Sequence, residues 1–538
     1  MATRPADHPG GPLREGRGRA PEMHDHGKSD SPVVPAKPPN KAPAAEVVEE
    51  RGLAEGNTDD PTRSGRRAGP GVPSGLDRVR EVAQKDKAAR FTALLHHVDV
   101  PRLWAAYWAL NPKAATGVDG ETWDSYGQNL EANLRDLHER VHSGRYQARP
   151  TRRAYIPKAD GRLRPLGIAA VEDKILQRAV VEVLNAIYEE DFLGFSYGFR
   201  PGRSPHDALD ALAVGIKRKK VGWVLDADIR DFFTRLDHGW LAKFLEHRIA
   251  DKRLLRLIAK WLNAGVIEDR RWTASDEGAP QGASVSPLLA NIYLHYVLDW
   301  WARHWRKRHA RGDMIIVRFA DDFVAGFEHL GDAKQFLADL HRRFGRFGLE
   351  LHEDKTRLIQ FGRFAIERRA ERGLGKPETF DFLGFTHVCA KTSDGRFFLK
   401  RITISKRKRA KLKAVKDQLK RRRHAPLPVQ GAWLASVVRG HAAYYSVPGN
   451  IKAVSSFRTQ ATRYWYRALR RRSQRTRLTW KRMDKLATRW LSPIRVMHPY
   501  PEARFDARHP RQEPSAVVPH AGICAGGRPQ GRSLPRPS

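Results

Sequence analysis

The sequence predicts an α+β fold, with an antiparallel sheet that is preceded by a disordered arm and followed by an all-α region. Residues 222–229 have a period of two that is typical of a strand, with Trp223, Leu225, Ala227 and Ile229 on one face and Asp226 and Asp228 on the other. Two apolar runs meet at Asp321-Asp322 and predict a β-hairpin with two acids at its tip. Between residues 400 and 500, apolar side chains recur at helical spacing among many lysines and arginines.

Both ends of the chain lack the composition of a packed core. Residues 1–75 contain no aromatic residue and are rich in proline and glycine, so they bury too little apolar surface to offset the entropy of ordering. We expect a disordered arm at 1–75 and a flexible tail at 501–538. Residues 172–190 carry an apolar stripe at helical spacing, which indicates that the region between the two ends is globular.

The balance of charge indicates the kind of partner. The 538 residues carry a formal net charge of +38, which favours a polyanion: nucleic acid first, an anionic membrane surface second. No run approaches the ~20 apolar residues of a membrane span, and the start of the chain does not have the pattern of a signal peptide. The two cysteines, Cys389 and Cys524, are too few for a disulfide framework or a Cys-pair zinc site. We therefore expect a cytoplasmic protein, with no membrane and no zinc among its partners.

Three aspartates stand where strands end. Asp228 comes at the end of the strand at 222–229, and Asp321 and Asp322 lie at the hairpin tip. On neighbouring strands these carboxylates would repel one another. Hard divalent cations remove that repulsion, and two ions about 3.5–4 Å apart can activate a 3′-hydroxyl and stabilise a leaving pyrophosphate. The sequence thus predicts a site for two Mg²⁺ ions, although each acid taken singly is also an ordinary turn or strand-end residue.

A small-residue loop before the apolar stretch at 284–294 has features of a nucleotide contact. Gly282 lets the backbone approach a nucleotide, and Gln281 can hydrogen-bond to it. Phe233, shortly after Asp228, is placed where a ring can lie under the incoming sugar and exclude a 2′-hydroxyl. A plain turn and core packing are the alternative interpretations of the loop and of Phe233.

Basic residues complete the set of candidates. Lys158 and Arg164 flank a turn at Asp160-Gly161, in a short hairpin suited to grip a triphosphate or a template. Lys355 is a candidate general acid for the leaving pyrophosphate. A solvated basic hairpin and a lone surface lysine are the corresponding alternatives.

Taken in order along the chain, these segments resemble the reverse transcriptase/maturase encoded by bacterial group II introns. The resemblance covers roughly residues 76–500, and the ordered set of motifs is far more specific than any one of them. The matching stretches are 116–120, 155–168, 196–204, 226–229, 280–294, 319–322, 349–355 and 380–385.

The resemblance implies a right-hand polymerase. It assigns residues 76–150 to a helical extension of the fingers, 151–395 to the fingers and an antiparallel palm, and 396–500 to an all-α thumb or maturase domain that binds RNA. Residues 438–445 resemble the maturase signature. The expected partners are the group II intron RNA, a DNA target or primer, and deoxynucleoside triphosphates.

The resemblance also assigns roles to individual residues. Asp228, Asp321 and Asp322 match the catalytic, metal-binding acids, and Ile229 directly after Asp228 joins the metal set, whereas Asp226 does not. The RNA-binding candidates are arginines of the helical region, namely Arg439, Arg463, Arg467, Arg470, Arg471 and Arg472. The resulting hypothesis is an RNA-directed DNA polymerase and maturase that assists splicing of its intron RNA and copies it into DNA for mobility.

Three positions depart from the family pattern. Phe319 replaces the usual tyrosine before Ala-Asp-Asp and loses a hydroxyl near the primer end, and Asp231 and Thr234 stand where glycine and aspartate are common. These departures bear on local geometry and efficiency and remove no predicted metal ligand. The Cys-pair endonuclease module of many relatives is also expected to be missing, so that target cleavage is absent or supplied otherwise.

Three other functions fit parts of the sequence. A splicing-only maturase with a decayed polymerase site is disfavoured by the intact Asp228, Asp321, Asp322 and Gln281. A reverse transcriptase domesticated for another role is disfavoured by the long helical region after residue 400. A viral-type RNA-dependent RNA polymerase fits least, because Phe233 is placed to reject ribonucleotides.

Overall fold

The computed structural model describes residues 75–157, 163–269, 271–274, 277–280, 282–473 and 475–508. The predicted arm, apart from Gly75, lies outside these residues. So do Lys158, the hairpin turn at Asp160-Gly161, Gln281 and the predicted tail beyond residue 508.

The helices form where apolar periodicity and capping side chains predict them. Ser204, for example, exchanges hydrogen bonds with Asp207 in a capping box at the start of the helix Pro205–Arg218. In chain order the helices are α1 (Gly75–Lys85), α2 (Val100–Trp108), α3 (Trp123–Gly127), α4 (Leu130–His142), α5 (Val171–Asp191), α6 (Pro205–Arg218), α7 (His238–Glu246), α8 (Lys252–Leu262), α9 (Ser286–Leu294), α10 (Trp300–Arg308), α11 (Leu330–Gly345), α12 (Ala365–Glu371), α13 (Ser405–Arg421), α14 (Leu427–Tyr445), α15 (Ile451–Arg470), α16 (Trp480–Trp490) and α17 (Pro501–Arg508).

The strands form three sheets. The strands are β1 (Thr151–Pro157), β2 (Leu163–Ile168), β3 (Trp223–Asp228), β4 (Val266–Glu268), β5 (Arg271–Thr273), β6 (Met314–Phe319), β7 (Asp322–Phe327), β8 (Arg357–Gln360), β9 (Phe380–Phe382), β10 (Phe385–Lys391) and β11 (Phe397–Thr403). The first sheet has the order β2-β1-β4-β5, the second β6-β7-β3-β8 and the third β11-β10-β9. The described chain is thus a mixed α+β fold with antiparallel sheets, and among the pairings between its described strands only β1–β4 is parallel.

The sheet β6-β7-β3-β8 lies between two apolar cores. On β3, Leu225 and Ala227 pack into one core, whereas Val224 packs into the other. Helix α5 contributes to the first core and α6 to the second. The alternation confirms the strand parity predicted for residues 222–229, and it fixes which face of the sheet carries the acidic side chains.

The third sheet joins the mixed α+β region to the helical region. Phe385 on β10 and Leu399 on β11 pack in the same core as Tyr444 of α14. The boundary predicted between residues 395 and 396 therefore falls in the turn of one β-hairpin, and residues 400–403 are a strand rather than the start of a helix. The domain assignment itself stays a prediction.

Helices α13, α14, α15 and α16 surround a third core. Trp465 is fully buried there, and its indole N–H donates to the Gln430 side-chain oxygen at 3.0 Å. The apolar stripe predicted on α13, with Leu412, Val415 and Leu419, faces this core as expected. In the described part of the chain, no helix is long and apolar enough to cross a membrane.

The first eight residues of the predicted flexible tail form a helix, which corrects the prediction for this part of the chain. Residues 501–508 form helix α17, which packs on α6 with Phe505 buried in the core. Arg504 forms an ion pair with the buried carboxylate of Asp210, and Arg218 donates to Asp506 at 2.7 Å. A helix this short and rich in charge is not stable by itself. Its order therefore comes from distant partners, and Asp210 lies 294 residues before Arg504 in the sequence.

Candidate active site

Strand pairing brings the three predicted aspartates to one edge of the sheet β6-β7-β3-β8. Asp228 at the end of β3 lies directly opposite Asp322 at the start of β7. Phe319 at the end of β6 lies opposite Asp322 on its other side, and Asp321 is in the two-residue turn between β6 and β7. Because paired residues point to the same face, Phe319, Asp322 and Asp228 form a row across three strands, which we call the cross-strand row.

The turn at residues 320–321 is held in an uncommon conformation. Ala320 has φ of +56°, a region that residues with a Cβ rarely occupy. Gly198 packs against this turn so closely that a Cβ on it would lie 2.3 Å from the Ala320 nitrogen. The Tyr197 amide donates to the Arg318 carbonyl at 2.9 Å. The segment at 196–198 therefore supports the turn that carries Asp321.

The pKa values of Asp321 and Asp322 are both raised at this edge. Desolvation, followed by the neighbouring Asp321 and Asp228, raises the pKa of Asp322 to about 8, although the residue still has an exposed side. Desolvation also raises the pKa of Asp321, with a smaller contribution from Asp228, while Arg164 and Lys355 act in the opposite direction. The Asp322 and Asp228 carboxyl groups are close enough to hydrogen-bond. The site therefore favours a proton or a cation between these groups.

Lys355 supplies a positive charge beside the cross-strand row. Its Nζ forms an ion pair with the Asp228 carboxylate, and its side chain is about half exposed. The loop that carries it is fixed to β3, because the His352 amide donates to the Asp228 carbonyl at 2.9 Å. Ile229 bridges to Leu351 in the same loop and buries its side chain. The structure thus brings Lys355 and Ile229 to the three aspartates.

The donor chemistry of this edge suits a hard divalent cation. Its side-chain ligands are carboxylate oxygens, which Mg²⁺ prefers. In the residues that the structure describes, no three or more acidic, histidine or cysteine side chains are arranged as a ready-made metal cage. Mg²⁺ usually completes its shell with water and substrate phosphates. The partial ligand set therefore fits an ion that binds together with a phosphate-bearing substrate.

Asp226 illustrates what an acid on the same face does when it lies further from the turn. It is two residues before Asp228 on β3, and the Arg357 guanidinium lies 3.6 Å from its carboxylate. Desolvation raises the pKa of Asp226 to about 6, and Arg357 opposes the shift. Asp226 was not among the predicted metal ligands, and its separate ion pair with Arg357 is compatible with that prediction.

Sequence reasoning missed Arg318, the residue that holds the turn from within the protein. Its side chain is fully buried, and its five N–H groups each donate one hydrogen bond. The acceptors are Asp299 Oδ1 at 2.8 Å, Asp299 Oδ2 at 2.6 Å, Asn291 Oδ1 at 2.9 Å, Ser196 Oγ at 2.7 Å and the Ala320 carbonyl at 2.9 Å. The signal was an arginine inside an apolar strand, since a buried charge requires a partner.

A local change of helix type allows one guanidinium to reach both Asn291 and Asp299. The two residues belong to one continuous helical stretch and are eight positions apart, which in an α-helix offsets them by about 80°. Residues His295–Asp299 form a π-helical turn. Its wider i→i+5 spacing turns each residue by less than an α-helix does. Both acceptors therefore face Arg318. π-helical turns of this kind are frequent at functional sites.

Phe233 lines a small cavity. The cavity has a volume of about 110 Å³, and its lining includes Phe233, Thr234, Arg153 and Pro165. None of the three aspartates is among its described lining residues. Asp231, just before, has φ of +46°, a backbone region that glycine adopts without steric cost. The Thr234 hydroxyl donates to the Asp231 carbonyl at 2.8 Å. The threonine that departs from the family pattern at position 234 is therefore hydrogen-bonded within its own turn.

The two other predicted nucleotide-binding residues that the structure describes differ in their surroundings. Arg164 on β2 is exposed and is close enough to Asp321 to affect its pKa. Gly282 has φ of +112°, and a Cβ on it would lie 2.9 Å from the Gly167 carbonyl oxygen. Close packing against β2 thus gives a structural reason for this glycine that the sequence did not suggest.

The predicted RNA-binding arginines lie on the surface of the helical region. Arg463, Arg467 and Arg470 are exposed at successive turns of α15. Arg471 and Arg472 follow directly, and Arg439 is exposed on α14. Their helices are anchored by the third core beneath them. The structure therefore places five of the six together along and just beyond one helix.

Comparison with known proteins identifies the class to which this fold and edge of acids belong. Residues 156–387 match the model of the family described as reverse transcriptase (RNA-dependent DNA polymerase). A relative in Escherichia coli (strain K12), Protein YkfC, is 34% identical over 335 residues, which is 54% of this chain and 87% of the relative. The chain belongs to the reverse transcriptase (RNA-dependent DNA polymerase) family, whose members generally use divalent metal ions.

Two further relatives are named for introns. The Group II intron-encoded protein LtrA of Lactococcus lactis subsp. cremoris is 37% identical over 227 residues, or 41% of this chain and 37% of LtrA. Nuclear intron maturase 3, mitochondrial, of Arabidopsis thaliana is 24% identical over 163 residues, or 30% of this chain and 22% of the relative. The chain belongs to the family of group II intron-encoded reverse transcriptases and maturases, as the resemblance in its sequence indicated, and the match spans little more than a third of LtrA.

Proposed function

We propose that the chain catalyses DNA synthesis on an RNA template at the edge formed by Asp228, Asp321 and Asp322, with two Mg²⁺ ions. The observation that carries this proposal is the register of β3 and β7, which sets Asp228 opposite Asp322 beside the turn with Asp321. In this layout the sheet β6-β7-β3-β8 is the palm, the sheet β2-β1-β4-β5 belongs to the fingers, and α13–α16 form the thumb or maturase domain.

Each group at this edge has a distinct task. Asp228, Asp321 and Asp322, with the Ile229 backbone, would hold the ions, which when bound lower the barrier to 3′-hydroxyl attack and stabilise the departing pyrophosphate. Lys355 is placed to give a proton to that pyrophosphate, since its ammonium already contacts Asp228. We propose that Arg164, exposed on β2, binds the triphosphate. Lys158 and Gln281, which lie outside the described residues, keep their predicted nucleotide-binding role as a proposal.

We further propose that the helical region binds the group II intron RNA, so that the protein assists splicing before it copies the intron into DNA at a target or primer. The names of LtrA and of the intron maturase support this partner. The exposed arginines on and after α15 support contact with phosphates along structured RNA.

The direct test is primer extension on an RNA template with deoxynucleoside triphosphates and Mg²⁺. We expect template-dependent DNA products that disappear when the ion is chelated. If well-folded protein binds intron RNA and yields no product with any divalent ion, the polymerase proposal fails and a splicing-only maturase is supported.

Phe233 is proposed to select the sugar of the incoming nucleotide. Replacing it with alanine opens the 110 Å³ cavity beside it and should raise incorporation of ribonucleotides relative to deoxyribonucleotides by about 10- to 100-fold. The measurement is single-nucleotide incorporation with each substrate. Thr234→Ala changes the same cavity without removing a ring and should leave the ratio unchanged. An unchanged ratio in Phe233→Ala would exclude the role.

The arginines after α15 are proposed to bind phosphates of the RNA. Replacing Arg470, Arg471 and Arg472 with glutamine should weaken binding of intron RNA and flatten its salt dependence, by about one unit of log–log slope for each of these arginines that binds a phosphate. Incorporation on a short, unstructured template should change little. Binding is measured across a salt series.

A matched charge control separates these phosphate contacts from a general loss of positive charge. Replacing Arg368, Arg369 and Arg372, on and just after α12, with glutamine removes the same charge from another part of the surface. This variant should keep most of the affinity for intron RNA. Equal losses in the two triple variants would mean that net charge, rather than α15, governs binding.

A further inference from the structure

Phe199 combines two unfavourable features beside the turn at 320–321. Its side chain is 57% exposed, and its φ is +58°, where a bulky residue is a genuine outlier. Among the described non-glycine residues with positive φ, it is the only exposed aromatic. An exposed ring adds nothing to the core, and backbone strain of this kind concentrates at functional sites.

The residues on both sides of Phe199 are fixed, which forces the ring outward. Gly198 lies against the Ala320 backbone, and its carbonyl accepts a hydrogen bond from the Asn291 side chain at 2.7 Å. Arg200 is buried and donates to the Ser196 carbonyl at 2.8 Å and to the Leu193 carbonyl at 2.9 Å. Because these contacts hold its neighbours, the strained conformation persists and presents the Phe199 ring to solvent.

The ring extends the cross-strand row on its apolar side. The Phe199 and Phe319 ring centroids are 6.5 Å apart at an interplanar angle of 44°, a distance typical of paired aromatics. Phe319 is opposite Asp322, which is opposite Asp228, and Asp228 contacts Lys355. The acids therefore have two aromatic rings on one side and an ammonium group on the other.

In nucleotidyl transfer, two chemically different parts of the substrates, the leaving pyrophosphate and the end of the primer, lie on opposite sides of the acids. The leaving pyrophosphate is anionic and suits the Lys355 side, whereas the sugar and base of the primer's last nucleotide are uncharged and suit the aromatic side. We propose that Phe199, together with Phe319, binds the 3′-terminal nucleotide of the primer strand through apolar contact with its sugar and base. This inference rests on the proposed polymerase function.

The test compares two substitutions that differ in their effect on the backbone. Phe199→Ala removes the ring, and Phe199→Gly removes the ring and also relieves the positive φ. Both should weaken binding of a DNA primer annealed to an RNA template by about 10-fold, since base–aromatic contacts have this size. Binding of the unprimed RNA template and the KM for the deoxynucleotide should stay unchanged. Phe199→Gly should melt at or above the temperature of the unmodified protein.

Each alternative result has a definite meaning. Leu374→Ala, at another exposed apolar side chain, is the control and should change none of these quantities. The proposal is overturned if primed and unprimed RNA lose affinity equally, if only the KM for the deoxynucleotide rises, or if Phe199→Gly melts well below the unmodified protein. Affinity is measured by fluorescence anisotropy, so it decides the role of Phe199 even if the unmodified protein extends no primer and the polymerase proposal itself fails.

Discussion

Replacing Asp322 with asparagine is expected to lower primer extension by about 10²- to 10³-fold, which is the size of effect seen when one charge-stabilising group is removed from an active site. Asparagine keeps the shape of the side chain and loses the negative charge that would hold a cation. The same change removes one of the crowded carboxylates, and it is burial, followed by repulsion from Asp321 and Asp228, that raises the pKa of Asp322. We therefore expect the melting temperature to stay the same or rise while activity is lost.

Asp226→Asn is the matched control for this prediction. It makes the same chemical change on the same face of β3, but at an acid that is paired with Arg357. Its extension rate should stay close to that of the unmodified protein. Rates are measured by single-turnover extension at saturating Mg²⁺. Near-normal extension by Asp322→Asn, or an equal loss in Asp226→Asn, would contradict the assignment of the metal site.

Strand parity is the reason that the acidic edge could be predicted from sequence. A shift of one residue in β3 would turn Asp228 into the core, so the apolar pattern around it determined the face on which it lies. The hairpin tip at Asp321 and Asp322 was equally local, because the turn that joins two apolar strands must lie at their ends. The local residue pattern could not predict that β3 pairs with β7 rather than with another strand. The resemblance carried by the ordered motifs supplied that expectation.

The unpredicted features depend on contacts that are distant along the chain. Helix α17 is ordered by Asp210 and the basic end of α6, which no local pattern of residues 501–508 reveals. The close approach of Gly282 to Gly167 likewise appears only when the loop packs on β2. The sequence shows Phe199 only as part of a family motif, because its exposure and its positive φ depend on the fold.

Arg318→Met is expected to destabilise the protein by about 3–5 kcal/mol, because it leaves the fully buried Asp299 carboxylate without its partner. It also removes the donor to the Ala320 carbonyl, which helps to hold the turn that carries Asp321. A misplacement of that turn by about 1 Å would lower the rate of extension by about 10²-fold. Thermal unfolding and single-turnover extension, measured on the same preparation, report the two effects separately.

A second substitution distinguishes positioning of the turn from general stability. Arg318→Met combined with Asp299→Leu replaces both members of the buried ion pair with apolar side chains, an exchange that is often close to neutral in stability. We expect the double variant to recover much of the lost melting temperature. Its extension rate should stay low, because the Ala320 carbonyl still lacks its donor. If stability and activity return together, Arg318 acts only through the fold; if stability returns alone, the arginine positions the turn for catalysis.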